Sequence, residues 1–68
     1  MKRNNGIVVA KHYIVVENSG HVGERDVFET TSYDKACTYI NLHYCPEEVD
    51  DFNVQVCREV DGQRSYEI

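Results

Sequence analysis

The sequence has no long hydrophobic run, few basic residues, no closely spaced cysteine pair and no glycine-rich phosphate loop. Each shortage removes a class of function. A membrane-spanning helix needs about 20 apolar residues, and the most apolar stretch, Ile7-Val8-Val9-Ala10, runs straight into Lys11-His12. The same run is too short for the apolar region of a secretory leader, so neither a span nor an export signal is expected. Seven Lys and Arg against twelve Asp and Glu give a formal charge of −5, the wrong sign for a protein that tracks a phosphate backbone. Direct nucleic-acid binding is therefore not expected from the charge. Gly20-His21-Val22-Gly23 has neither the length nor the following Lys and Ser/Thr of a P-loop.

The thiols point the same way. Cys37, Cys45 and Cys57 cannot all pair within one chain, and reduced cysteines suit a cytoplasmic protein. Their separations are far from the short paired spacings of a zinc site, so no metal and no cofactor are expected. His43 and Cys45, two residues apart at a helix end, point about 200° from one another and lack a third group to orient the imidazole. Glu47, Glu48, Asp50 and Asp51 sit without an apolar surround that would raise one carboxyl above its neighbours. Nothing here has the shape of an enzyme.

What is present is the pattern of one small α+β domain over the 68 residues. Ile7 to Glu17 is rich in β-branched and aromatic residues and predicts a strand apolar on both faces. Asn18 to Glu24 is a flexible connection, and Arg25 to Thr30 a second strand. Thr31-Ser32 offers an N-cap hydroxyl for a helix from Tyr33 to Tyr44, with Asp34 in its first turn. Tyr33, Ala36, Cys37, Ile40 and Tyr44 recur at helical spacing and mark its inward stripe. Cys45-Pro46 ends it, and Glu47, Glu48, Asp50 and Asp51 follow as an exposed acidic connector.

The third strand alternates, with Phe52, Val54, Val56 and Val60 on one side and Asn53, Gln55, Cys57 and Glu59 on the other. Asp61-Gly62 predicts a hairpin into a final strand from Gln63 to Ile68. A two-residue turn pairs Glu59 with Arg64 and Cys57 with Tyr66. A three-residue loop instead sets Val56 beside Tyr66 and Val54 beside Ile68, and burial favours that choice. Two hairpins around one helix make a four-stranded antiparallel sheet, β-β-α-β-β, with the helix on one face.

One helix covers one side, so the other face is expected to meet a partner. With Phe52, Val54 and Val56 facing the helix, Val9, Lys11, Tyr13 and Val15 are expected on the open face beside Gln55 and Cys57, with Tyr13 as anchor. The acidic connector adds attraction toward a basic protein surface, residues 35–68 carrying −4 of the charge. Scattered exposed valines and a solubilising charge are the ordinary alternatives.

The element order and the phrase Phe28-Glu29-Thr30-Thr31-Ser32-Tyr33-Asp34-Lys35-Ala36, leading from strand to helix, resemble small orphan proteins of bacteriophages and other mobile elements, including some anti-CRISPR proteins. That resemblance implies a non-enzymatic, stoichiometric inhibitor docking on a large host complex. The alternative is a structural homodimer formed through the open sheet face.

Overall fold

A computed structural model describes residues 11–66. They form β1 (Lys11–Glu17), β2 (Arg25–Thr30), α1 (Tyr33–His43), α2 (Pro46–Asp51), β3 (Gln55–Val60) and β4 (Gln63–Ser65). The strands build one antiparallel sheet in the order β2-β1-β3-β4, so β1 and β3 are central and each hairpin supplies one edge. The α+β architecture is the expected one, with α1 packed on one face of the sheet.

Local chemistry accounts for the elements. The Ser32 side chain accepts from the Lys35 amide at 3.3 Å, satisfying one of the free N–H groups at the start of α1. The acidic connector is not a loop. Pro46 at the first helical position and Glu48, whose carboxylate accepts from the Cys45 amide at 2.9 Å, close it into α2. Asn18 and Asn53, both at positive φ, turn the chain where β1 ends and β3 begins. The Asn18 and Ser19 amides then donate to the Phe52 and Asn53 carbonyls at 2.7 and 3.1 Å, tying these turns together.

Two buried clusters lie on opposite faces of the sheet. Under α1, Val15, Ala36, Val54 and Val56 are the centre, with Tyr13, Val27, Phe28, Tyr39, Ile40, Tyr44 and Val49 packed around them. On the far face, Ile14, Val16 and Cys57 form a second, smaller cluster.

This arrangement inverts the expected faces of β1. Val15 pairs with Val56 and Tyr13 with Arg58, which puts the odd-numbered residues of β1 beneath the helix. Val15 is fully buried there, and Tyr13 meets Tyr33 edge to face at 5.6 Å. The reason is that β1 is apolar on both sides, so its alternation cannot choose a register, and one step of slip exchanges the faces. Val9 lies outside the described residues.

The second hairpin also differs from expectation. Glu59 pairs with Arg64 and Val60 with Gln63, leaving a two-residue turn with Asp61 at φ 52° and Gly62 at φ 81°. Two consecutive positive φ values define the type I′ geometry, whose twist matches the strands it joins. Turn chemistry therefore outweighs the burial of Tyr66. The final strand stops at Ser65, and Ile68 lies outside the described residues.

Candidate interaction surfaces

The face opposite α1 is closed by the chain's own polar side chains. Arg64 projects from β4 and reaches acids on three segments. Its Nη1 donates to Glu24 Oε2 at 2.7 Å, and its two terminal nitrogens hold Asp26 bidentately at 3.0 Å each. Nη2 also reaches Glu59 Oε2 at 3.3 Å. Asp26 is on β2, the opposite edge of the sheet, so this contact draws the two edges together over the Ile14–Val16–Cys57 cluster.

Further bonds extend this roof. The Tyr66 hydroxyl donates to Glu24 at 2.8 Å, Ser19 Oγ to Gln55 Oε1 at 2.6 Å, and Gln55 Nε2 to the Tyr66 carbonyl at 2.8 Å. His12 Nε2 stands 2.7 Å from Glu29 and 3.1 Å from Glu59. The Gly20 N–H foremost, aided by Tyr66 and Arg64, holds the Glu24 carboxyl below its usual range. Burial foremost, with repulsion from Glu24, pushes the Cys57 thiol up to about 11, which favours its protonated form.

The residues expected to form the docking face are thus dispersed. Tyr13 and Val15 belong to the core under α1, and Cys57 is buried beneath the Arg64 network. Lys11 is exposed on the helix side, its Nζ 6.0 Å from the centre of the Tyr13 ring. Gln55 is on the far face, as expected, but its amide bridges Ser19 and Tyr66. Of the acidic set, Glu48 is spent on capping, while Glu47, Asp50 and Asp51 remain exposed on α2. A hydrogen bond from its own backbone foremost keeps the Glu47 carboxyl low.

Large apolar side chains are exposed elsewhere, foremost Val22 in the β1–β2 connection and Leu42 on α1, with Tyr33, Phe52 and Tyr66 less so. Where α1 borders the edge strand β2, Phe28 and Tyr39, both half-buried against the core, stack at 4.4 Å with the rings 6° from parallel, and Tyr39 stacks on His43 at 4.2 Å. Leu42 is 76% exposed next to them. With Lys35 and Thr38 these residues line a shallow depression of about 260 Å3. Lys35 makes no ion pair among the described residues.

The sequence carried a signal for this patch. Lys35, Thr38, Tyr39, Leu42 and His43 repeat at three- and four-residue steps, a second stripe beside the inward one. By contrast, the reach of Arg64 to Glu24 and Asp26 joins segments 40 and 38 residues apart and has no local signature.

The chain matches no known family model, curated protein or solved structure. Its surface chemistry must therefore speak for its function. Cys37, Cys45 and Cys57 are free thiols, and the described His, Cys, Asp and Glu residues form no group able to hold a metal ion. Among the described residues no helix is long and apolar enough to cross a membrane.

Proposed function

We propose that the chain is a non-enzymatic protein-binding module that docks through the outward side of α1 and the neighbouring β2 edge. The observation that carries this reading is Leu42, 76% exposed beside the pre-stacked rings of Phe28, Tyr39 and His43. An aromatic and aliphatic surface in a shallow depression suits a protein partner better than water. Because the rings already hold one another in place, docking freezes few torsions, which favours their use as anchors. The exposed Glu47, Asp50 and Asp51 would speed encounter with a basic partner surface, an effect that salt screens.

The specific form of this reading is a stoichiometric inhibitor of a host complex, as the resemblance to phage orphan proteins implies. Free Cys37, Cys45 and Cys57 suit a reducing compartment, the cytoplasm. The test is affinity capture from the native host with the native chain and with Leu42→Asp. Loss of one retained protein in the variant is expected, and equal retention by both contradicts the reading. Light scattering separates the homodimer. A mass of two chains that Leu42→Asp halves assigns the patch to a second copy instead.

A further inference from the structure

The strand β4 is the shortest described strand and lies at an edge of the sheet. It spans three residues, pairs among the described residues only with β3, and joins it through the positive-φ pair Asp61 and Gly62. A short edge strand with three pairings opens more readily than a central one. Side-chain contacts add to these pairings, among them Arg64 with Glu24, Asp26 and Glu59, and the adjoining Tyr66 with Glu24. Glu59 is the ladder partner of Arg64, but Glu24 and Asp26 lie outside the β3–β4 ladder, and Asp26 is at the far edge of the sheet. Beneath lie Ile14, Val16 and Cys57, each no more than 2% exposed.

We propose that β4 is a flap, hinged at Asp61–Gly62 and latched by Arg64, that opens without unfolding the domain and bares the Ile14–Val16–Cys57 strip. The closed state hides an apolar surface beneath a charged roof. The latch carries three carboxylates against one guanidinium, so a negative excess remains even when it is shut. Opening costs the charge-assisted hydrogen bonds but leaves α1 and its core in place, because that core lies on the other face. The device is independent of the docking patch on α1.

Cys57 reports the opening. In a Cys37→Ser/Cys45→Ser background it is the sole thiol, and its alkylation by iodoacetamide can be followed by mass in rising, sub-denaturing urea. The expected result is a labelling rate whose urea dependence is much shallower than that of global unfolding followed by circular dichroism. Arg64→Ala should raise the rate at least about tenfold while the helical signal is kept. If Arg64→Ala does not fold, Asp26→Asn removes the bidentate arm from an exposed position and should act in the same direction. Labelling that follows global unfolding in every variant overturns the flap. Should the double serine variant fail to fold, amide exchange on the native chain decides: β4 exchanging well ahead of β1 supports the proposal, and simultaneous exchange overturns it.

Discussion

Tyr13 shows how a single side chain carries the fold. Its ring packs into the cluster under α1 and meets Tyr33 edge to face, so truncation removes buried area and an aromatic contact together. Tyr13→Ala is expected to cost about 2 kcal/mol or more, measured as a lowered urea midpoint. Leu42→Asp is the opposite case. At 76% exposure it should change stability by no more than about 0.5 kcal/mol in the same titration. Tyr44 and Glu17 form a third residue-scale feature, the Tyr44 hydroxyl donating to Glu17 at 2.7 Å while Arg25 holds the other carboxylate oxygen at 2.7 Å. Burial foremost, then Glu17, pushes Tyr44 up to about 12, and the Tyr44 bond foremost draws Glu17 down.

Among the elements, α1 was the most legible. Ser32, one of the two candidate caps, starts it, Ala36 is buried, and Ile40 and Tyr44 pack inward as the spacing predicted, because a helix is decided by neighbours three and four residues apart, while Tyr33 of the same stripe is 44% exposed and the helix ends at His43. The strands were legible as strands but not in their pairing. β1 offers two apolar faces, and only its partnership with β3, some forty residues along the chain, decides which one meets the helix. A bulge adds to this: Val15 opposes Phe28 and Val16 opposes Asp26, leaving Val27 extra on the β2 edge. Such a bulge discourages edge-to-edge pairing of two copies. The Asp61-Gly62 turn supplies the element-scale prediction. Gly62→Ala places a side chain at φ 81° and should lower stability by about 1 kcal/mol in a thermal or urea melt, with no clash to relieve.

At the scale of the whole molecule, the sheet is covered twice, by α1 on one side and by a charged roof on the other. The expectation of a bare far face failed because side chains, as well as helices, can close a small sheet, and that closure depends on contacts remote in sequence. The pH profile follows from the same network. Glu17 and Glu24 have lowered folded values, so their contribution is present above the ordinary carboxylate range and is lost as pH falls through those values. Tyr44 is raised, so its contribution is complete below about 10 and is lost as pH rises toward 12. Stability against urea should therefore show a plateau with an acid limb below about pH 4.5 and an alkaline limb above about pH 10.

The central claim is that the outward side of α1, and not the far face of the sheet, meets the partner. Quantitative capture from the native host by the native chain, Leu42→Asp, Lys11→Ala and Gln55→Ala tests it most directly. The account predicts that Leu42→Asp loses at least about tenfold of the captured partner while the other two variants retain it. Retention by Leu42→Asp together with loss in Gln55→Ala would contradict it.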